Sequence, residues 1–155
     1  MINEVYYSHM KDIEKIKLIK ASGLEILDLE DGYAKVVMPY SVNVNHVGIM
    51  YAGSLAMLGE LFGGIYWVAM IDVKKFFPIV KTFSIKFLRP ATADVFIERK
   101  FDKEEARKIQ EEAQMKGKCD FVMELELKTG DGTVVAIFNG IWQIRKMTEM
   151  LAKHS

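Results

Sequence analysis

The feature that most constrains this sequence is a long apolar run from Val47 to Val73, in which a carboxylate, Glu60, lies near the middle. A run of about eighteen or more apolar residues is typical of a membrane span. However, glycines weaken an isolated helix, strands are predicted on both sides, and an ionisable side chain in hydrocarbon is costly. We therefore predict a helix from Ala52 to Met70 that is apolar all round because it is buried inside a globular domain.

Helical spacing divides this helix into two faces. A bulky stripe, which is predicted to pack against a sheet, consists of Leu55, Leu58, Phe62, Ile65 and Ala69. A second stripe contains only small residues apart from the glutamate, and consists of Gly53, Ala56, Glu60, Gly63 and Gly64. Small side chains leave room for a neighbouring helix or a slim ligand, and Glu60 would face whatever enters.

Composition limits the function classes. The 155 residues fit one domain over 1–155, with an N-terminal helix within 1–23 and a C-terminal tail over 147–155. A net charge of zero without a strongly basic run excludes a general nucleic-acid binder. The single cysteine, Cys119, and the absence of signal-peptide features predict a reducing cytoplasm. The three histidines (His9, His46 and His154) have no ligand spacing, so neither a metal nor a cofactor is expected.

The remaining segments predict strands and one further helix. Strands are predicted over Leu24 to Leu29, Gly32 to Met38, from Phe83 to an end at Pro90, and over Asp94 to Phe101, Phe121 to Lys128 and Thr133 to Arg145. A short amphipathic helix is predicted after an Asp102 N-cap, with a Glu104 to Lys108 ion pair and an end at Gly117. Together these elements predict an α+β fold, in which a curved, mostly antiparallel sheet of five to six strands wraps one long helix.

The residues around the start of the central helix resemble the signature of hotdog-fold thioesterases of the PaaI-like, 4-hydroxybenzoyl-CoA thioesterase superfamily. That signature is Asn-x-x-Gly-x-x-His-Gly-Gly, followed by an acidic residue seven positions after the last glycine. Its matching positions here are Asn45, Gly48, Gly53 and Glu60. Tyr51 stands at the position of the histidine and Ala52 at that of the first glycine, and poorly characterised branches of the superfamily show similar departures. The element order over residues 20–145 and the FLRPA segment (Phe87 to Ala91) also agree, so the resemblance implies the hotdog fold.

The resemblance also implies hydrolysis of an acyl-CoA or acyl-carrier thioester, with a mainly apolar acyl group. Such hydrolysis needs donors for the developing oxyanion and a base or an attacking carboxylate. The start of the central helix offers free N–H groups and a partial positive charge, and Gly53 permits close approach. Glu60 in apolar surroundings should have a raised pKa, which suits a general base. Asn45 or Tyr51 would assist at the carbonyl, and the substrate would be bound near His46, Gly48 and Ala52.

The spacing of the proposed groups predicts a dimer. Gly53 and Glu60 are separated by about 10 Å along a helix, which exceeds the roughly 3 Å reach needed to act on one carbonyl. We therefore expect two central helices to pack antiparallel, with Gly53 of one subunit facing Glu60 of the other. The protein would be a homodimer, and two such dimers could pair into a homotetramer.

Other interpretations of these residues stay open. Glu60 could be a structural buried acid, Asn45 a brace for its loop and Tyr51 a packing aromatic. The chain could then be a non-catalytic hotdog module that binds an acyl or lipid-like ligand, or a dehydratase that uses His46. The basic residues Arg89, Lys100, Arg107 and Lys108 could contact coenzyme A phosphates or simply face solvent.

Overall fold

A 19-residue helix lies at the centre of the structure and a six-stranded sheet curves around it. The computed structural model describes residues 4–148, and their side chains from residue 9 onward. The helices are α1 (Glu4–Glu14), α2 (Lys17–Ser22), α3 (Ala52–Met70) and α4 (Lys103–Lys116). The strands are β1 (Glu25–Glu30), β2 (Tyr33–Met38), β3 (Phe76–Phe87), β4 (Val95–Lys100), β5 (Lys118–Thr129) and β6 (Val134–Lys146). The tail predicted over 147–155 lies outside the described residues from 149 onward.

The sheet confirms the predicted α+β arrangement. Its strand order is β1-β2-β4-β5-β6-β3, and all neighbouring strands are antiparallel. β3 is longer than predicted, because Pro78 obscures the strand pattern of its first half. Proline is tolerated there because β3 is an edge strand, whose outer side has no neighbouring strand within residues 4–148.

Both outer strands of the sheet contain a bulge. The register of β1 against β2 shifts at Leu27, and the register of β3 against β6 shifts at Lys81. The ammonium group of Lys81 lies 2.6 Å from Asp120 Oδ2, which holds the bulged residue over the sheet. A bulge bends its strand and increases the local twist, so neither edge is a flat, regular ladder.

The central helix packs against the sheet through the predicted bulky stripe, whose five members are all buried. The assignment of Gly63 to the opposite stripe was wrong. A Cβ on Gly63 would lie 2.0 Å from Trp142 Nε1, and one on Gly59 would lie 2.2 Å from Phe138 Cδ2. Both glycines therefore allow the helix to approach the aromatic residues of β6. The face left partly or fully exposed contains Gly53, Ala56, Glu60 and Gly64.

The prediction that this helix is buried in a globular domain is confirmed. Among the described residues, α3 is the one helix long and apolar enough to cross a membrane, and most of it lies inside the fold. A helix that is apolar all round and enclosed by a sheet is a core element. Its sequence therefore reflects packing on several sides.

Helix α4 begins and ends where predicted. Asp102 Oδ1 accepts hydrogen bonds from the backbone N–H groups of Glu104 (2.9 Å) and Glu105 (3.3 Å), and Gly117 takes the left-handed conformation at the other end. The Glu104 carboxylate pairs with Arg107, whereas Lys108 was the predicted partner. At the N-terminus of the chain, the predicted single helix is two helices, which are separated after Glu14.

Candidate functional site

The loop before α3 is held together by Asn45. Its side-chain oxygen accepts hydrogen bonds from the N–H groups of Val47 (3.0 Å) and Ile49 (3.2 Å), and Gly48 turns the chain with a φ of 82°. Because two N–H groups face the oxygen, the orientation of the amide is fixed. Among the described residues, the Asn45 Nδ2 donor has no hydrogen-bond partner. Asn45 therefore braces the loop and still presents a donor.

A buried asparagine that the sequence analysis missed positions the start of α3. Asn43 Nδ2 donates to the carbonyl oxygens of Pro39 (2.7 Å) and Ser22 (2.8 Å), and its Oδ1 accepts from Ser54 Oγ at 2.8 Å. The backbone carbonyl oxygen of Asn43 also accepts a hydrogen bond from the Tyr51 N–H at 2.7 Å. These bonds connect α2, the loop and α3. In the sequence Asn43 stands out only by lying two positions before Asn45. Its burial, on which its role depends, is set by the fold.

The first turn of α3 presents two backbone donors. The N–H groups of Ser54 and Leu55 bond to the Tyr51 carbonyl oxygen, whereas those of Ala52 and Gly53 have no partner among the described residues. The Tyr51 ring lies over Gly53, since a Cβ on Gly53 would be 2.4 Å from Tyr51 Cε1. The glycine therefore accommodates the tyrosine ring of its own chain. Tyr51 is 58% exposed, so its ring has room to move.

A cleft of about 310 Å³ lies between the start of α3 and the end of β3. Asn45 and Ala52 line one side of it, and the segment from Phe87 to Ala91 lines the other. Its remaining walls are the apolar side chains of Ile49, Met50 and Leu55, and its charged lining residue is Arg89. The fold thus brings the signature loop and the FLRPA segment to one apolar cleft. His46 and Gly48 are exposed on the same loop but do not line it.

Glu60 lies apart from this cleft. Its side chain is half-buried on the open face of α3, and burial raises its pKa. No hydrogen bond or ion pair of the carboxylate occurs among residues 9–148, while its backbone oxygen accepts from Trp142 Nε1 at 3.2 Å. Seven helical residues separate Glu60 from Gly53, or about 10 Å along the axis. Within one chain, the Glu60 carboxylate therefore does not reach the free N–H groups at the start of α3.

The edge strand forms an incompletely covered apolar wall beside this part of the helix. Phe83 stacks on Phe138 with ring centroids 5.0 Å apart, and the Phe138 ring also lies against Gly59. Phe83 and Phe87 nevertheless remain 44% and 50% exposed. Exposed apolar side chains that lie together on one face mark a surface that contacts a partner or a ligand. This wall is therefore suited to contact another apolar surface.

Two of the basic candidates have defined surroundings. Arg89 lines the cleft, next to the predicted substrate residues. Arg107 lies on α4 and pairs with Glu104 and Glu111. Lys100 and Lys108 are exposed. Arg89 is thus the basic residue that the fold places with the signature loop.

Comparisons with known proteins agree with this architecture. Residues 18–144 match the family described as "Domain of unknown function (DUF4442)". The crystal structure of PA5026 from Pseudomonas aeruginosa, described as a protein of unknown function and probable thioesterase, is 38% identical, with a TM-score of 0.86 over 94% of this chain and 98% of that one. A protein of unknown function from Chlorobaculum tepidum is 18% identical, with a TM-score of 0.78 over 90% and 93% of the two chains.

A third structure was determined with a ligand. A hypothetical thioesterase from Streptococcus pneumoniae, solved with coenzyme A, is 18% identical, with a TM-score of 0.64 over 88% of this chain and 97% of that one. At this level of identity the likeness shows the fold alone. No match was found among curated proteins.

Proposed function

Because the chain belongs to the DUF4442 family and has the hotdog fold of the thioesterase superfamily, we propose that it is an acyl-CoA thioesterase for substrates with a mainly apolar acyl group. The observation that carries this proposal is Glu60, a half-buried carboxylate with a raised pKa and no partner among residues 9–148. It lies on the same helix that presents two unpartnered N–H groups at its start. The relative that is 38% identical and described as a probable thioesterase supports the same reaction class, and the neighbour solved with coenzyme A shares the fold.

In the proposed mechanism, the start of α3 polarises the thioester carbonyl. The Gly53 N–H donates to the carbonyl oxygen, where the partial positive charge of the helix end stabilises the developing oxyanion. Asn45 Nδ2 is placed to assist, and the exposed Tyr51 hydroxyl is a second side-chain donor. Glu60 accepts a proton from the attacking water, whose oxygen bonds to the carbonyl carbon; the C–S bond then breaks, and the proton passes to the sulfur of the leaving thiol. If Glu60 attacks the carbonyl carbon directly, breakage of the C–S bond leaves a mixed anhydride on Glu60, which water hydrolyses to the free acid.

The two halves of this site require a second copy of the chain. In the proposed homodimer the open faces of two α3 helices pack antiparallel, so that Glu60 of one subunit meets Gly53 of the other. The small side chains of Gly64 and Ala56 on that face allow the two helices to approach closely. The unpaired outer side of β3, with its exposed aromatic residues, is the other surface that a second copy would cover. Pairing of two such dimers remains a prediction.

We propose that the substrate is held in the cleft next to Asn45. Its apolar walls suit the acyl group or the pantetheine arm, and Arg89 at its lining would contact a coenzyme A phosphate. His46 and Gly48, exposed on the same loop, would contact the substrate from outside the cleft. The cytoplasm remains the predicted location.

The decisive experiment compares wild type with Glu60→Gln on a panel of acyl-CoA esters, with released thiol measured by a chromogenic reagent. Loss of a general base should lower kcat by about 100-fold to 10,000-fold. Glu126→Gln is a matched control, because Glu126 is an exposed glutamate of β5 paired with Lys128, and its activity should stay within about twofold of wild type. A folded Glu60→Gln protein that retains more than a tenth of wild-type activity would overturn the assignment.

A non-catalytic hotdog module that binds an acyl ligand is the alternative. The position of the Tyr51 ring over Gly53 favours it, since that ring crowds the start of α3. The same panel separates the two functions. A binding module would show a raised melting temperature with an acyl-CoA ester but would release no thiol.

A further inference from the structure

A gap in the sheet between β4 and β5 opens a second route into the core. The two strands pair only at Val95 with Thr129 and at Phe96 with Lys128, and no ladder pair joins them beyond that point. β4 stays paired with β2 along its length, and β5 stays paired with β6. The sheet therefore separates in its middle and not at an edge.

The side chain of Arg99 spans this gap from the core side of β4. The neighbouring inward positions of the strand are the buried Val95, Ile97 and Phe101, and Arg99 occupies the same alternating series. Its Nη1 donates to the carbonyl oxygen of Glu124, on β5, at 2.6 Å. A guanidinium carries five N–H donors, and this is its one hydrogen bond among the described residues. Arg99 thus has donors left for a ligand in the gap.

A hydroxyl approaches the same gap from the central helix. The Tyr66 ring lies between the two strands, with ring centroids 5.1 Å from Phe101 and 4.9 Å from Phe121. Tyr66 is 4% exposed, and its hydroxyl is a buried group without a hydrogen-bond partner among the described residues. Burial also raises its pKa, so the group stays a donor. An unpartnered buried hydroxyl destabilises a fold unless something binds to it.

These groups line one cavity of about 110 Å³, together with Phe101, Phe121 and Met123. We propose that it binds a short-chain monocarboxylate, whose oxygens accept hydrogen bonds from the Arg99 guanidinium and the Tyr66 hydroxyl. The volume equals that of about three to four water molecules in the liquid, which suits an acid of about two or three carbons. The alkyl group would lie against the two phenylalanine rings.

The charges around the cavity are compatible with an anion. Lys100, Asp102 and Glu105 also line it. The Asp102 carboxylate is engaged with the N–H groups at the start of α4, and both Lys100 and Glu105 are exposed. Exposed charges are screened by solvent, so the buried Tyr66 hydroxyl and the partly buried Arg99 guanidinium dominate the recognition.

This site is independent of the proposed thioesterase site. Tyr66 is buried on the side of α3 that packs against Phe101 and Phe121, whereas Glu60 is half-exposed on the open face of the helix. Failure of either proposal therefore leaves the other standing. The Glu60→Gln variant should lose hydrolysis and still bind the carboxylate.

The test is a titration of the full-length protein with propionate, followed by NMR of the backbone amides. Saturable shifts should be centred on residues 99–101 and 121–123, and propionamide, the neutral isostere, should bind about tenfold more weakly or worse. Tyr66→Phe and Arg99→Met should each weaken propionate binding about tenfold or more. Tyr66→Phe removes an unpartnered hydroxyl, so its ligand-free melting temperature should equal or exceed that of wild type.

Several results would overturn the proposal. One is the absence of saturable shifts in these two segments. Another is equal binding of propionate and propionamide, or of propionate by wild type and Tyr66→Phe. A crystal structure at saturating propionate with only ordered water on the Tyr66 hydroxyl would also exclude it.

Discussion

Substituting Gly63 by alanine tests how closely the central helix approaches the sheet. The added Cβ would lie 2.0 Å from Nε1 of Trp142, a residue only 1% exposed and stacked on Phe121 and Phe138. Comfortable contacts lie near 3.5 Å, so the helix or the indole must move by about 1.5 Å. Such overpacking costs about 1 to 3 kcal/mol. The shift also breaks the Trp142 hydrogen bond to the Glu60 carbonyl oxygen, which is worth about 1 kcal/mol.

The better helix propensity of alanine offsets part of this cost. Replacing glycine by alanine inside a helix stabilises it by about 1 kcal/mol. We therefore expect Gly63→Ala to lower the free energy of unfolding by about 2 kcal/mol. Guanidinium unfolding followed by far-UV circular dichroism would measure this difference.

The adjacent Gly64 provides the matched control. The nearest atom to a Cβ at that position, Ile13 Cδ1, is 3.9 Å away, which is an ordinary contact. At dilutions where the protein is monomeric, Gly64→Ala should therefore be as stable as wild type or up to about 1 kcal/mol more stable. A loss in Gly64→Ala that is present at high protein concentration and disappears on dilution would report the subunit interface and not the core. A Gly63→Ala protein at least as stable as Gly64→Ala would refute the packing described here.

Three further predictions follow from single contacts. Burial disfavours the ionised form of Glu60 and raises its pKa, so Glu60→Gln should be more stable than wild type at pH 7. Thermal melts should show that this difference in stability vanishes as the pH falls toward about 4, where the carboxyl group is protonated in both the folded and the unfolded protein. Asp102→Ala should lower the free energy of unfolding by about 0.5 to 2 kcal/mol, whereas Asp102→Asn should lose little in the same denaturation assay. Asn43→Ala leaves buried carbonyl groups without a donor, so it should cost about 3 kcal/mol and displace the loop, as measured by unfolding and by amide exchange of residues 43–51.

The parts of the fold that depend on local chemistry were predictable from the sequence. The bounds of α3, the Asp102 cap and the Gly117 end of α4 follow from periodicity and capping within a few residues. The first half of β3 was missed, because a proline is tolerated there only at the edge of a sheet, and edge position depends on the whole topology. Gly63 was assigned to the wrong face for a similar reason, since its neighbour, Trp142, is distant in sequence.

The candidate site was predictable as a set of residues but not as an arrangement. The resemblance to the thioesterase signature indicated Asn45, Gly53 and Glu60, and helix geometry indicated that one chain keeps the last two about 10 Å apart. The cleft with Arg89 depends on β3 lying beside α3, which no local pattern encodes. The roles of Asn43 and Tyr66 depend on burial, and burial of a polar side chain appears only after the chain has folded.

The bulges in both outer strands limit how copies of this protein can associate. A regular, flat border would accept further copies one after another, and the product could grow into a fibre. The extra residues at Leu27 and Lys81 interrupt the even spacing of donors and acceptors that such growth needs. Self-association should therefore stop at a small closed assembly, even at high concentration.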